Sequence, residues 1–144
     1  MSPLSPLFVH AKTIAVVGLS SRADRPSFEV ASTLQGAGFR IIPVNPGYAG
    51  SAILGEPCLA SLGEISVPVD IVDCFRKSED MVEVATQAAN MIPRPKVLWM
   101  QLGVANNEAE KIARNAGIEV VQNECLETHF LAHRAAAAHP AKHS

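Results

Sequence analysis

Thr13-Ile14-Ala15-Val16-Val17-Gly18-Leu19-Ser20-Ser21-Arg22-Ala23-Asp24-Arg25-Pro26-Ser27-Phe28 is the stretch that decides the fold. Ile14–Val17 is short, unbroken and mostly β-branched. That predicts a strand buried on both faces, as in a parallel sheet. Gly18 ends the run, and a residue without a Cβ lets a ligand come close to the backbone. Pro26 suits the first turn of a helix. Phe28, Val30, Ala31 and Leu34 give that helix an apolar face. Between them, Ser20, Ser21, Arg22 and Arg25 supply hydroxyls and positive charge. A helix N-terminus beside a Gly/Ser turn directs backbone N–H groups outward, which makes an anion site. The stretch reads as a phosphate cradle for a nucleotide-like ligand. An ordinary βα turn with polar loop residues would look the same locally, so both readings stay open here.

Working outward, the same alternation repeats. Gly36-Ala37-Gly38 stops the first helix. Phe39–Val44 is predicted as the second strand, and Gly47–Pro57 as an irregular excursion rich in Gly. Ser61–Ile65 suits a short helix. Val69–Phe75 is the third strand. Ser78 is expected to cap the next helix, with Glu79 and Asp80 in its first turn and Met81, Val84, Ala85, Ala88 and Ile92 on its inner face. Val97–Leu102 is the fourth strand. Asn106 or Asn107 caps a helix with Ala109, Ile112, Ala113 and Ala116 along one stripe. Ile118–Gln122 is the fifth strand, and Leu126–Leu131 a last helical turn.

Strands alternating with helices imply βαβ units. With right-handed crossovers they form a single doubly wound α/β domain of about five parallel strands, with helices on both faces. The expected organisation is an N-terminal extension over 1–12 packing on the body, one domain over 13–131, and a disordered tail over 132–144. Ligands in such sheets bind outside the carboxyl ends of the strands. That rule gathers Gly18–Ser21, Val44–Pro46, Phe75-Arg76 and Gln101–Gly103 in one place.

The totals exclude several classes. A chain of 144 residues with 48% hydrophobic and 18% charged residues is long and apolar enough for a soluble domain with its own core. A formal charge of −2 argues against a nucleic-acid partner. No apolar run is long enough to span a membrane, and Met1–His10 does not read as a signal peptide. Cys58, Cys74 and Cys125 are odd in number and form no CxxC, so no disulfide framework is expected, and a reducing cytoplasm is the expected home.

A dinucleotide ligand would call for G-x-G-x-x-G and an acidic residue after the second strand. The chain has Gly18-Leu19-Ser20-Ser21-Arg22-Ala23 and Asn45-Pro46 instead. Both tests count against NAD or NADP. Another phosphorylated adenosine ligand fits better, and Arg22, Arg25 and Arg76 offer planar forks for phosphate oxygens.

Six segments then occur in order: Val16–Ser20, Arg25–Ser27, Ile42–Pro46, Leu54–Glu56, Asp70–Arg76 and Trp99–Gly103. Together they resemble the small stand-alone CoA-binding proteins, which are similar to the N-terminal CoA-binding domain of the succinyl-CoA synthetase α subunit. The resemblance covers roughly Thr13 to Phe130. It implies a Rossmann-like domain holding coenzyme A at the strand ends. Carried over, Gly18 and Ser20 face the diphosphate, with Leu19, Ser21 and Pro26 in the same cofactor loop. Arg25 and Ser27 lie near the phosphates. Val44, Asn45 and Pro46 contact the adenosine portion. Phe75 and Arg76 contact the ligand after the third strand, and Gln101 and Gly103 lie on the pantetheine side. Cys74 stands where an aliphatic residue is usual. The synthetase's phosphorylated His belongs to a second domain, so its ligase reaction is not expected here.

No catalytic constellation stands out. Asp70 and Asp73 point to opposite faces of a strand and read as loop or helix caps rather than an acid/base pair. Cys125, His129 and His133 have a chelating spacing but read as a surface tail, with no metal expected. Cys74 reads as a buried thiol, with a mixed disulfide to CoA as a minor alternative. Trp99 and Met100 read as core or crevice wall, although Trp99, Phe8 and Phe130 have no assigned place and an exposed apolar rim is the alternative. The expected function is non-catalytic binding or sensing of CoA or acyl-CoA. The alternatives are a small NAD(P)-dependent oxidoreductase, or a subunit whose partner completes an active site. Self-association and protein partners stay open.

Overall fold

The computed structural model describes residues 5–137. In chain order the elements are α1 (Ser5–His10), β1 (Thr13–Val17), α2 (Pro26–Gly36), β2 (Arg40–Val44), β3 (Ala52–Ile53), β4 (Glu56–Pro57), β5 (Ile71–Cys74), α3 (Met81–Ala89), β6 (Val97–Met100), α4 (Asn107–Asn115), β7 (Glu119–Val121) and α5 (Leu126–Ala137). Five strands form one parallel sheet in the order β2-β1-β5-β6-β7. The α/β class, the parallel sheet and helices on both faces are as the sequence predicts. Pro43 is tolerated inside β2 because β2 is the sheet edge, where a missing N–H breaks no ladder. The Gly-rich excursion holds a two-residue antiparallel hairpin, β3 with β4.

The strands lack polar alternation because both sheet faces are covered. Ile14, Val16, Ile41, Ile71 and Trp99 pack with Val30 and Leu34 of α2 and Leu126 and Phe130 of α5. On the other face Ala15, Val17, Val72, Leu98 and Met100 pack with Met81, Val84 and Ala85 of α3 and Ala109 and Ala113 of α4. Each fully buried large apolar side chain contributes about 1.5–3 kcal/mol relative to exposure.

Four expectations are corrected. Trp99, Phe8 and Phe130 form no exposed rim: all three are buried together, Trp99 and Met100 as the core reading expects, with Phe8 and Phe130 centroids 5.8 Å apart and Phe8 and Trp99 6.4 Å apart. This cluster fastens α1 to the body. Ser78 does not cap α3. Its hydroxyl accepts from the Ala105 N–H at 3.0 Å, while Ser78–Asp80 forms a 3-10 turn ahead of the helix. Ile92 points to solvent, because α3 ends at Ala89 before the inner face returns. Finally, α5 continues helical to Ala137, past the boundary at 131. The His133 ring packs on Phe8 at 5.5 Å, Arg134 stands 5.8 Å over Phe130, and the alanines that follow favour helix. The rest of the expected tail lies outside the described residues.

Candidate ligand-binding cleft

Strand order reverses between β1 and β5. From β1 the chain passes to β2 on one side, and all later strands of the sheet lie on the other. A crevice opens at such a point, outside the strand ends. Gly18 follows β1 and Phe75 follows β5. Gly18 has φ +86°, and a Cβ there would stand 2.2 Å from the Phe75 carbonyl oxygen. Only glycine permits this approach. The Gly18 N–H donates to the Val44 carbonyl at 2.7 Å, and the Phe75 N–H donates to that of Val17 at 2.8 Å. Three strand ends are therefore tied at one spot.

The loop after Gly18 is held by its own polar groups. The Ser20 N–H donates to Ser27 Oγ at 3.1 Å, and the Arg22 N–H to Ser20 Oγ at 3.0 Å. Asn45 Nδ2 donates to the Leu19 carbonyl at 3.1 Å, while its Oδ1 accepts from the Gly47 N–H at 2.9 Å. Arg25, in extended geometry, precedes Pro26, and no side chain caps α2. The helix entrance is left for something else to meet.

Two cavities adjoin here. One, of about 410 Å³, is lined by Gly18, Ser20, Arg22, Arg25, Pro26, Ser27, Asn45, Tyr48 and Phe75. The other, of about 580 Å³, is lined by Pro26, Val30, Phe75, Arg76, Lys77, Gln101, Leu102, Val104 and Cys125. They share Pro26 and Phe75. The first is polar and cationic. The second is largely apolar, with cations at one edge.

The cleft thus brings together Gly18, Ser20, Arg25, Pro26, Ser27, Asn45, Phe75, Arg76 and Gln101. The other candidates sit differently. Leu19 and Val44 are buried in the two cores, so only their backbone can meet a ligand. Ser21 and Pro46 are exposed outside both walls. Gly103 is also outside, its N–H given to Asn123 Oδ1 at 2.7 Å. Sequence reasoning left Tyr48, Val30, Lys77, Val104 and Cys125 out of the site, gave Leu102 a place only as part of the Gln101–Gly103 strand end, and kept Arg22 only as a nearby cation. Tyr48 carried a signal, following Asn45-Pro46-Gly47 at the end of β2. The apolar lining residues carried none, because core and cavity wall look alike in a sequence.

Charge in the cleft is shaped locally. Ser20 and Ser21 hydroxyls, with the positive field of Arg22 and Arg25, hold the Tyr48 phenol below its ordinary value. Arg22 pairs with Asp24 at 3.3 Å and Arg76 with Asp80 at 3.2 Å, both within reach of water. Asp73 is fully buried, and burial pushes its carboxyl up to about 7 against the stabilising bond from Gln101. Burial also raises the Cys74 thiol, helped by Asp73. Cys74 faces the α3 core and not the cleft, which removes the geometric basis for a mixed disulfide there. Cys125 is the cysteine on the cleft wall.

Asp70 is structural. Its Oδ2 accepts from the Lys12 and Thr13 N–H groups at 2.8 and 3.1 Å, fixing the start of β1. Among the described residues no cluster of His, Cys, Asp and Glu could hold a metal. His129 instead sits on Trp99, with Nε2 against Glu124 at 2.5 Å. No helix among the described residues is long and apolar enough to cross a membrane.

Comparison with known proteins places the sequence and the fold. YneT of Bacillus subtilis (strain 168) is 39% identical over 123 residues, covering 85% of this chain and 88% of that protein. The structure of cell-free ID.343 from Thermus thermophilus superposes with a TM-score of 0.85 at 35% identity, over 90% of this chain and 96% of that chain. A hypothetical protein from Pyrococcus horikoshii OT3 gives 0.83 at 32%, over 90% and 88%. The apo dinucleotide-forming acetyl-coenzyme A synthetase 1 of Ca. Korarchaeum cryptofilum gives 0.69 at 20%, over 83% of this chain and 28% of that one, a likeness of fold alone. The family profile described as a CoA binding domain matches residues 12–130, so the chain belongs to the CoA binding domain family.

Proposed function

We propose that the chain binds coenzyme A or an acyl-CoA in the cleft between the ends of β1 and β5. The supporting observation is the meeting of a cationic cavity and an apolar one at Pro26 and Phe75. Coenzyme A has the same division: a phosphorylated, highly charged adenosine half and a flexible, uncharged arm with methyl and methylene groups between its amides. A dinucleotide is polar at both ends and suits the second cavity poorly. Family membership points the same way.

In this reading the bare backbone at Gly18, the Leu19 and Ser21 amides and the uncapped start of α2 meet phosphate oxygens, while the Ser20 amide stays on Ser27 Oγ. Arg22 and Arg25 add charge-assisted bonds. Ser20 and Ser27 orient the loop. Asn45 and Tyr48 flank the adenosine portion, next to Val44 and Pro46. Phe75 and Arg76 stand where the two halves of the ligand join. Gln101 reads the arm, with Gly103 shaping the turn beyond it. The role proposed is binding or sensing, in the cytoplasm, with no chemical step assigned.

Thermal melts with CoA, acetyl-CoA, NADH and NADPH side by side test it. CoA or acetyl-CoA at a hundred times its dissociation constant should stabilise the fold by about 2.7 kcal/mol. A shift with the nicotinamides alone would replace this reading with a redox one.

A further inference from the structure

Gln101 lines the apolar cavity although it is only 4% exposed. Its Nε2 donates to Asp73 Oδ1 at 2.6 Å. Among the described residues, Asp73 Oδ2 is the buried side-chain polar atom left without a partner. Gln101 Oε1 accepts no bond from a described residue either, yet it is not among the buried orphans. It is therefore the accessible polar atom of the pair, open to the cavity.

We propose that Asp73 is a positioning residue that sets which side of the Gln101 amide the cavity offers, and so which ligand end group it prefers. This rests on the CoA reading above. An ionised Asp73 can only accept, so it holds the amide nitrogen and leaves Oε1 to accept from an N–H or S–H of the ligand. A protonated Asp73 carries an O–H that needs an acceptor. A half-turn of the amide supplies Oε1 to that O–H and turns the NH₂ outward, where it donates to a carbonyl such as a thioester oxygen. With the proton on Oδ1, the oxygen that faces the amide, the half-turn gives the O–H its acceptor in place of an N–H to O–H clash, which is what favours it.

Burial places both forms of Asp73 near neutrality, with its pKa at about 7. Few other titratable groups face it. The paired strands bring Val16 and Trp99 alongside. α2 contributes Val30 and Ala31, and α1 contributes Phe8, to the same core. From α5 and its approach come His129, its ring 5.2 Å from that of Trp99 and held by Glu124, and Cys125 on the cavity wall. On its own strand Cys74 faces the opposite core. Beyond it Arg76 and Lys77 stand at the cavity edge, Arg76 paired with Asp80.

The test is the ratio of CoA to acetyl-CoA affinity, measured by calorimetry at about pH 6 and about pH 8, either side of the Asp73 value. Both ligands carry the same phosphates, so phosphate titration cancels in the ratio. The thiol donor should gain on the thioester acceptor as pH rises, by about two- to tenfold, the worth of one hydrogen bond. Asp73→Asn should flatten the ratio. If that variant does not fold, Gln101→Leu, at the cavity wall, should flatten it as well. A ratio already flat in the wild type, or a slope that survives either substitution, overturns the proposal while leaving CoA binding intact. Binding of neither ligand by the wild type at either pH overturns both.

Discussion

Around Gly18 the cleft keeps its charges in water, whereas beneath Gln101 it keeps one out of water. Arg22, Arg25 and Tyr48 stand at the surface, where solvent screens them. Asp73 lies below the apolar half, with one oxygen on Gln101 and the other on nothing. The polar half can hold phosphates at little cost to folding, because its cations are hydrated without a ligand. The apolar half stores an unfavourable charge that helps no packing. Buried charge without full pairing destabilises, so its presence points to recognition rather than to stability.

The largest expected effect comes from that stored charge. In the unfolded chain Asp73 ionises near its ordinary value of 3.8, and in the folded chain at about 7. Between those values the folded state keeps a proton that the unfolded state has lost. Its contribution to stability therefore falls as pH rises through this window, then stays level above it. The displacement of about three pH units sets an upper limit of ~4 kcal/mol. Urea unfolding from about pH 4.5 to about pH 8 should show the decline in the wild type and not in Asp73→Asn. Parallel curves for the two proteins would mean that the halves do not differ in this way.

Gly18→Ala is expected to cost about 2–4 kcal/mol, through positive φ and the collision with the Phe75 carbonyl. Because Phe75 belongs to both cavities, this substitution should weaken the whole ligand and not one half of it. Retained affinity with a wild-type melting temperature would show that β1 and β5 can part at this point without penalty.

The same contrast explains what the sequence disclosed. The polar half was legible because its residue types are unusual beside a strand: a Gly, three Ser, two Arg and a helix-starting Pro in the ten residues after Val17. The sheet was legible because four consecutive apolar residues leave no solvent face. The apolar half was not. Val30 has the 3.6-residue spacing of any core position, and nothing local distinguishes it from Leu34, which is fully buried. Cys74 and Cys125 likewise look equivalent until the strand register turns one into the core and the chain after β7 brings the other to the cleft. From sequence Asp70 and Asp73 look alike as caps, because strand-end carboxylates usually are caps, and of the two Asp70 behaves so.

Salt should separate the halves. Arg25→Ala should lower CoA affinity about tenfold, the scale of one charge-assisted bond, and make the remaining affinity less sensitive to ionic strength. Stability should change by less than about 0.5 kcal/mol, since Arg25 is exposed and caps nothing with its side chain. An unchanged salt dependence would move the phosphates away from the α2 entrance.

Leu102 gives the smallest and most selective test. It is 68% exposed, yet it lines the apolar cavity beside Gln101. A leucine so exposed does little for the fold, so Leu102→Ser should leave the melting temperature nearly unchanged. If the ligand's arm lies against it, burial of the leucine occurs only on binding. Losing that apolar contact should then weaken CoA by about fivefold, near 1 kcal/mol of area removed from water. Because no charge changes, the salt dependence should match that of the wild type. The opposite pattern, full affinity in Leu102→Ser with the Arg25→Ala defect intact, would confine the ligand to the cationic half and leave the larger cavity without an occupant.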